Sequence, residues 1–257
     1  MDTSMSMDEA LRSLGVTEQT LSPQQRDELD KNGFTVFHNV IDPAWLEELR
    51  AAFEAITAAE GDAAGKEVGQ MVGVRRLADL VNKGPVFDQI YINPFVLAAA
   101  RHVIGRPFKL HSLNGHDPLP GYGQQSLHPD WGEARSDLNV FSVMNSLWIL
   151  DNFAAENGAT RIVPGSQRWP GSPKEQLGDP KLPHPQEINI TAPAGSVAVF
   201  NGHAWHGSTN NQTQRMRRVY HCAFIAREYA QQTNQRQFLR PETAQRLTPS
   251  ARYILDV

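Results

Sequence analysis

Residues 124–132, "QQSLHPDWG", place a histidine and an aspartate two positions apart. Side chains of a β-strand alternate between its two faces, so His128 and Asp130 would project from the same face of an extended segment. An imidazole and a carboxylate on one face can share a proton, a solvent network or a metal ion. The spacing alone does not separate these partners, because such tripeptides often arise by chance.

The nine histidines of the chain differ in the partners that their spacing offers. Four have no carboxylate or histidine at a usable distance, and we expect ordinary surface or core roles for His38, His102, His111 and His184. His116 and Asp117 are adjacent, so on a strand they would face opposite sides and would not easily chelate one ion. The stretch "FNGHAWHGSTNNQTQRMRRVYHCAF" supplies three more, which are His203, His206 and His221. Two histidines and one carboxylate on one face would match the facial triad of non-haem Fe(II) oxygenases.

Composition and charge are those of an ordinary globular chain. Of the 257 residues, 40% are hydrophobic and 20% are charged. The formal net charge of −4 gives no sign of a nucleic-acid partner. No long apolar run and no signal segment is visible, so we expect no membrane partner. The single cysteine, Cys222, excludes an internal disulfide and fits a cytoplasmic location. We expect a monomer or a homodimer that acts on a small molecule.

The N-terminal part of the chain predicts helices. The first 20 residues are polar, and we expect them to be loosely ordered. A helix is predicted over 21–33, followed by a strand over 34–40. Two further helices are predicted over 42–61 and 93–105, each opened by an Asp-Pro or Asn-Pro pair and closed by glycine.

From Pro107 onward, short β-rich runs alternate with turn residues. Such spacing favours a sandwich or barrel over repeating βαβ units. The chain therefore predicts a single domain over 1–257, with the helices covering one face of the sheet. Its parts would be the N-terminal residues 1–20, a helical part at 21–106, a β core at 107–226 and a C-terminal tail at 227–257.

Several motifs in a fixed order give the chain a family resemblance. "HPD" is followed by "SLWILDNFAAENGATRIVPGSQ" and then by "GSVAVFNGHAWHGSTNNQTQRMRR". Over residues 107–226 these motifs resemble the phytanoyl-CoA dioxygenase family of Fe(II)/2-oxoglutarate-dependent oxygenases. The resemblance implies a mainly β fold, a double-stranded β-helix of the jelly-roll, cupin-like type, with N-terminal helices packed on one sheet. The family's "PGSH" is "PGSQ" here, ending at Gln167, but that histidine is not a metal ligand in the family.

The resemblance also implies roles for individual residues. The metal ligands of the family correspond to His128, Asp130 and His206. Arg217, 11 residues after His206, matches the arginine that pairs with the distal carboxylate of 2-oxoglutarate. Further side chains that would hold this co-substrate are Gln125, Thr160 and Ser208. Arg218 would point to the other face of a strand, and His203 is the alternative distal ligand.

The implied cofactors are Fe(II), 2-oxoglutarate as co-substrate, and dioxygen. The implied reaction releases succinate and CO₂ and oxidises, most simply hydroxylates, an aliphatic C–H bond of a small molecule; desaturation, ring formation and epoxidation are other outcomes. Related iron halogenases lack the carboxylate ligand, so Asp130 argues for oxygen chemistry. Two alternatives are a non-oxidative metal-dependent isomerase or binding protein on a cupin-like barrel, and an acyl-CoA hydroxylase of the same family.

The substrate pocket is expected to involve residues 68–80, Asn114, Trp131, Met144 and the region after Arg227. The founding members of the family act on acyl-CoA thioesters, and the phosphates of coenzyme A would call for clustered Lys and Arg side chains. Arg75–Arg76 is the adjacent basic pair before the β domain, and Asp79 is close to it. Gln125 resembles a glutamine of the natural-product branch. We therefore expect a free, mainly apolar, natural-product-like substrate. The glycine-rich segment 60–73 suits either a mobile lid or an ordinary surface loop.

Overall fold

A computed structural model describes residues 5–257 of the chain. The α-helices in this range are α1 (Met7–Ser13), α2 (Pro23–Lys31), α3 (Pro43–Glu60), α4 (Asp88–Tyr91), α5 (Pro94–Ile104), α6 (Pro173–Leu177), α7 (Gln235–Phe238), α8 (Pro241–Arg246) and α9 (Pro249–Leu255). The β-strands are β1 (Phe34–Phe37), β2 (Val74–Leu77), β3 (Phe108–Pro118), β4 (Gln125–His128), β5 (Val143–Ile149), β6 (Thr160–Ile162), β7 (Ile188–Asn189), β8 (Val197–Asn201), β9 (His206–Ser208) and β10 (Val219–Ala226).

The strands form two antiparallel sheets. The larger sheet has the order β1-β8-β5-β10-β3-β2, and the smaller has the order β4-β9-β6-β7. Side chains from both sheets line one cavity, so the inner faces of the two sheets face each other. This confirms the expected double-stranded β-helix, which within residues 5–257 does not close into a continuous barrel.

Alternation along β10 shows how the larger sheet serves two purposes. His221 and Ala223 face the cavity. Tyr220 and Phe224 lie on the opposite face, where both are fully buried and belong to the core beneath the helices. The Tyr220 hydroxyl donates to the backbone oxygen of Leu49 in α3, at 2.9 Å. One face of the sheet therefore anchors the helices while the other carries polar groups towards the cavity.

The three predicted helices begin and end where their capping residues indicate. Ser22 forms a capping box at the start of α2, and Asp42 and Asn93 cap α3 and α5 through their side chains. The helices α3 and α5 pack on the outer face of the larger sheet, as expected. Trp148 of β5 is fully buried there, edge-on to Trp45 of α3, with ring centroids 5.6 Å apart. None of the helices in residues 5–257 combines the length and apolar character needed to cross a membrane.

The N-terminal segment is more ordered than the sequence predicted. Ser6 caps α1 through a capping box with Glu9, and Ala10 and Leu11 of this helix are fully buried. The expectation of loose order is therefore wrong for residues 7–13, because a short apolar pair within a polar stretch is enough to dock one turn of helix. Residues 1–4, which the same expectation covered, lie outside the described residues. Strand β1 ends three residues before the predicted boundary, and the following backbone turns at Asn39, whose φ is 56°.

Gln167 has a structural role that its position in "PGSQ" did not reveal. Its side chain is fully buried, and Nε2 donates to the backbone oxygens of Asp30 (3.2 Å) and Lys31 (3.5 Å). These oxygens belong to the last turn of α2, where carbonyl groups have no intrahelical partner. Gly33 follows with φ of 81°, and a Cβ atom there would lie 2.5 Å from Gln167 Oε1. The "PGSQ" turn therefore ties α2 to the smaller sheet.

Replacing Gln167 by Ala removes the two hydrogen bonds that its buried amide donates to carbonyl groups in the last turn of α2. We expect the free energy of unfolding to fall by about 1–3 kcal/mol, the usual net contribution of two hydrogen bonds. Chemical denaturation followed by circular dichroism measures the change. The matched control is Gln24→Ala on the exposed side of α2, where we expect a change within about 0.5 kcal/mol. Equal effects of the two substitutions would contradict this role.

Candidate active site

The pairing of β4 with β9 brings two histidines together. His128 lies opposite His206 in the antiparallel register, and their ring centroids are 4.6 Å apart. Gly207, the middle residue of β9, permits this approach. A Cβ atom on Gly207 would lie 2.9 Å from the backbone oxygen of Ser126 and 3.0 Å from that of Gln125, both in β4. The glycine in "HGS" is therefore required by the close contact of the strands.

Asp130 completes a cluster of three candidate ligands. Strand β4 ends at His128, so Asp130 is not in the strand as the sequence suggested; its backbone N–H donates to Gly202 O at 2.7 Å. The bend still directs the carboxylate towards both imidazoles, with Oδ1 3.5 Å from His206 Nε2 and 3.9 Å from His128 Nε2. One donor atom from each of the three residues lies within 4.8 Å of the others, and no second group of this kind occurs in residues 5–257.

Hydrogen bonds fix which imidazole nitrogen faces the centre. His128 Nδ1 lies 2.8 Å from Ser126 O, and His206 Nδ1 lies 2.9 Å from Ala204 O. A carbonyl oxygen only accepts, so each Nδ1 carries the proton and each Nε2 presents a lone pair towards Asp130. Hydrogen bonds of this kind orient histidine ligands in metal sites. The donor set thus fits a divalent cation such as Fe(II).

The charges within the cluster also favour a cation at its centre. Burial alone would lower the pKa of His206, but the adjacent Asp130 carboxylate outweighs burial and raises it. Burial would raise the pKa of Asp130, whereas the two histidines hold it well below its usual range. Burial, together with His206, lowers the pKa of His128. A carboxylate in this setting attracts positive charge, which a metal ion supplies without protonating the ligands.

His203 is occupied elsewhere and does not join the cluster. Its Nε2 accepts the backbone N–H of Ser142 at 2.8 Å, and its ring packs between Trp131 and Phe141 at 5.5 Å from each. Burial lowers the pKa of His203 to about 3, so the ring is neutral. The three-residue separation from His206 predicts this opposite orientation. His206 is therefore the better candidate for the distal ligand.

Arg217 is a buried cation without an anionic partner. Only 5% of the residue is exposed, and its Nε has no hydrogen-bond partner. Its guanidinium lies over the ring of Phe153 at 5.0 Å, and among the described residues no carboxylate is within ion-pair distance of it. Burial lowers the pKa of Arg217 to about 10, so the group is still charged at neutral pH. An unpaired buried guanidinium calls for an anionic ligand, as the distal carboxylate of 2-oxoglutarate would be.

The neighbouring Arg218 faces the other way, as the sequence predicted. Its Nε and Nη2 each donate to the Asp151 carboxylate at 2.9 Å, and Nη1 donates to Glu54 at 3.0 Å. The hydrogen bonds to Asp151 raise the pKa of Arg218 further. This arginine is fully paired and ties the start of β10 to α3. Arg217 alone of the two is free to bind a ligand.

The other candidate co-substrate residues surround a small pocket in front of Arg217. Gln125, Thr160 and Ser208 all line it, and the first two also line the larger cavity beside the metal ligands. The Ser208 hydroxyl donates to the backbone oxygen of Gly123 and lies 3.3 Å from Gln125 Oε1. This contact turns the Gln125 amide nitrogen away from Ser208. Gln125 and Thr160 are therefore placed to donate hydrogen bonds, while Ser208 orients Gln125.

Two histidines to which the sequence assigned no role in the site line both the cavity of the metal cluster and the pocket of Arg217. His116 of β3 and His221 of β10 are in contact, with ring centroids 4.4 Å apart, and both line the cavity and the Arg217 pocket. Burial, with help from Arg217, lowers the pKa of His221 to about 3, so this ring is neutral. Asp117 faces the opposite side and pairs with Arg75, as expected for adjacent strand residues. The alternation of side chains along β3 is the sequence feature that could have placed His116 on the cavity side.

The remaining pocket expectations have mixed outcomes. Asn114 lines the cavity, and Gln232 brings the C-terminal tail to its wall. Met144 is fully buried in the core beneath the helices, because the next residue, Asn145, takes the inward face of β5. His111, for which we expected an ordinary role, also lines the cavity.

Comparison with known proteins places the chain in a family. Residues 29–219 match the family model for phytanoyl-CoA dioxygenase (PhyH). The chain belongs to this family. It is accordingly an Fe(II)/2-oxoglutarate-dependent dioxygenase, and its cofactors are Fe(II), 2-oxoglutarate and dioxygen.

Three relatives illustrate the similarity. Dioxygenase trt7 of Aspergillus terreus is 27% identical over 211 residues, which cover 77% of this chain and 72% of that protein. The crystal structure of HygX from Streptomyces hygroscopicus, with nickel and 2-oxoglutarate bound, has a TM-score of 0.66 at 19% identity and covers 82% of this chain and 89% of its own. SnoN, a non-haem α-ketoglutarate-dependent epimerase from nogalamycin biosynthesis, has a TM-score of 0.63 at 17% identity, covering 79% and 82%. The two structural likenesses show a shared fold.

Removing one candidate metal ligand tests the cluster directly. His206→Ala should lower Fe(II) affinity by more than about 100-fold, because loss of an outer hydrogen-bond partner alone costs roughly 10–100-fold. Anaerobic titration calorimetry measures the affinity, and circular dichroism checks the fold. His102→Ala is the control, since this partly exposed histidine of α5 pairs with Asp30. Unchanged Fe(II) binding by His206→Ala would show that the distal ligand is a different residue.

The two adjacent arginines provide a matched pair of variants for the co-substrate. Arg217→Ala should raise the KM for 2-oxoglutarate roughly 10–100-fold, as expected when a charge-assisted hydrogen bond worth about 1.5–3 kcal/mol is lost. Arg218→Ala should lower the melting temperature instead, with a change in KM below about twofold, because its partners are Asp151 and Glu54. Steady-state kinetics of succinate formation give both constants. Equal effects of the two changes on KM would contradict the assignment.

Proposed function

We propose that this dioxygenase hydroxylates an aliphatic C–H bond of a free small molecule, with Fe(II) held by His128, Asp130 and His206. The observation that carries the proposal is that a cavity and a small pocket adjoin, with His116, Gln125, Thr160 and His221 lining both. A three-ligand cluster lies at one end, and an unpaired buried guanidinium, that of Arg217, lies in the adjoining pocket. A dicarboxylate that reaches from the cluster to Arg217 satisfies both ends.

The protein side chains would divide the work as follows. Fe(II), together with 2-oxoglutarate and dioxygen, supplies the oxidising chemistry. Arg217 binds the distal carboxylate of the co-substrate, and Gln125 and Thr160 donate hydrogen bonds along its length. Asn145 donates to Asp130 Oδ2 at 3.4 Å and so restrains the carboxylate ligand.

Apolar side chains complete the wall around the candidate ligands. Leu147 and Phe200 line the cavity next to the polar groups, and the Phe200 ring lies 4.6 Å from that of His206. Such contacts fix the ring of the distal histidine and keep bulk water away from one side of the metal. The oxidising species would then meet substrate instead of solvent.

The dimensions and charge of the cavity support a free small molecule over an acyl-CoA thioester. Its volume is about 270 Å³, near the lower end of the range for ligand pockets. Of the two adjacent arginines expected in the pocket, Arg75 forms ion pairs with Asp117 and Glu54. No cluster of free Lys and Arg side chains lines the cavity within residues 5–257, as three phosphate groups would require. The origin of SnoN in nogalamycin biosynthesis agrees with a natural-product-like substrate.

A non-oxidative metal-dependent isomerase or binding protein explains less. Such a protein could use the His-Asp-His cluster, but it would have no need for a buried arginine placed for a dicarboxylate. The cost of burying Arg217 without a partner is understandable only if a bound anion offsets it. The polar pocket in front of this arginine therefore favours a 2-oxoglutarate-dependent reaction.

Matched substrates test the proposal. We expect the Fe(II)-loaded protein to form succinate from 2-oxoglutarate and to incorporate one oxygen atom from labelled dioxygen into members of a panel of free acids. The same acids as CoA thioesters should be poor substrates. Mass spectrometry follows both products, and His206→Ala, which should lose Fe(II), serves as the inactive control. Oxidation of the thioesters alone would show that the protein is an acyl-CoA hydroxylase. A product with inverted stereochemistry and no added oxygen would show that the reaction is an epimerisation and not a hydroxylation.

A further inference from the structure

The wall of the cavity opposite the metal ligands is polar. The sequence led us to expect a mainly apolar substrate, which such a wall would not favour. It is formed by alternate residues of β3 and by side chains from β2 and the C-terminal tail. These include Ser112, Asn114, Arg76 and Gln232. A wall of this composition implies a ligand with polar groups of its own.

Arg76 is the cationic group on this wall. It lies opposite His116 in the β2–β3 register, so both side chains face the cavity. Its neighbour Arg75 faces away and is paired with Asp117 and Glu54. Arg76 Nη1 donates to the backbone oxygens of Val68 (3.2 Å) and Gly69 (2.6 Å), and Nη2 lies 3.4 Å from His116 Nε2. No carboxylate of residues 5–257 is within ion-pair distance of this guanidinium.

Three buried polar atoms around this cavity have no hydrogen-bond partner in the part of the chain that the structure describes. They are Arg76 Nε, Asn114 Oδ1 and Asn145 Oδ1. The side chain of Asn114 is turned so that its Nδ2 donates to Gln232 Oε1 at 3.0 Å. Its oxygen is therefore a free acceptor on the same wall as Arg76. Buried polar groups are nearly always satisfied in folded proteins, so unpaired donors and acceptors in a cavity point to a missing ligand.

We propose that Arg76 binds a carboxylate of the substrate, and that Asn114 Oδ1 accepts a hydrogen bond from a hydroxyl or ammonium group of the same molecule. The substrate class is therefore a small hydroxy- or amino-carboxylic acid. This inference rests on the proposed function, since it places the substrate in the same cavity as the metal cluster.

The chemistry of a single guanidinium favours a carboxylate over a phosphate. Its planar fork matches two carboxylate oxygens, and its one charge balances a monoanion. Arg217 is the other cationic side chain nearby, but it lies in a separate small pocket that Arg76 does not line. The carboxylate of the co-substrate would thus bind Arg217, and the carboxylate of the substrate would bind Arg76.

The test uses the full-length, Fe(II)-loaded enzyme and a panel of hydroxy- and amino-carboxylic acids, each paired with its primary amide. Binding is measured as the ligand-induced rise in melting temperature, and turnover as succinate release above the level seen without substrate. We expect wild type to prefer acids over their amides by at least about tenfold, as the loss of one charge-assisted pair predicts. In Arg76→Gln we expect the ratio of acid to amide to fall below about two.

The ratio of acid to amide separates recognition from structural damage. Arg76 also holds the turn at Val68 and Gly69, so a merely structural role would lower activity on acids and amides equally. Arg76→Lys, which keeps the charge, should retain part of the preference. Lys66→Gln is the control, because it removes one positive charge from an exposed position of the same segment.

Three results would overturn the proposal. One is a wild-type enzyme that binds and oxidises no acid better than its amide. Another is an equal loss on both classes in Arg76→Gln. The third is an increase in the KM for 2-oxoglutarate in Arg76→Gln as large as that in Arg217→Ala, which would assign Arg76 to the co-substrate. Failure of the proposed function itself looks different, since wild type would then release no succinate from 2-oxoglutarate with or without a panel compound.

Discussion

The close contact between β4 and β9 is the constraint on which the site depends. These strands have only four and three residues, yet their register sets His128 opposite His206 and Gln125 opposite Ser208. The same pairing therefore fixes the candidate metal ligands at one end and the pocket proposed for the co-substrate at the other. A shift by one residue would turn every one of these side chains to the wrong face. Gly207 keeps the strands close enough for the two imidazoles to meet at one ion.

The arginines around the site differ in whether they have a carboxylate partner. Arg75 and Arg218 are paired with Asp117, Asp151 and Glu54, and they hold β2, β3 and β10 against α3. Among residues 5–257, Arg217 and Arg76 have no carboxylate partner; Arg76 lines the cavity and Arg217 lines the adjoining pocket. Unpaired buried charge lowers stability, so it is kept where a ligand offsets the cost. The paired arginines hold the sheet against the helices, and the unpaired ones are those that we propose to bind anions.

Local signals in the sequence predicted much of the fold and the core of the site. Capping residues predicted α2, α3 and α5, and the family motifs indicated a pairing of His128 with His206 that no local pattern contains. Other features depend on long-range packing. The docking of α1 through Ala10 and Leu11, the inward direction of Arg76, and the phase of β5 that buries Met144 are all set by neighbours distant in sequence. Composition and spacing carry no information on these contacts.

Anomalous diffraction from crystals grown with Fe(II) and 2-oxoglutarate without oxygen would test the central claim most directly. The account predicts one iron peak within bonding distance of His128 Nε2, His206 Nε2 and the Asp130 carboxylate. It also predicts 2-oxoglutarate density that runs from the iron past Gln125 to the guanidinium of Arg217. An iron peak at the His116–His221 pair, or a co-substrate whose distal carboxylate lies on Arg76, would contradict it.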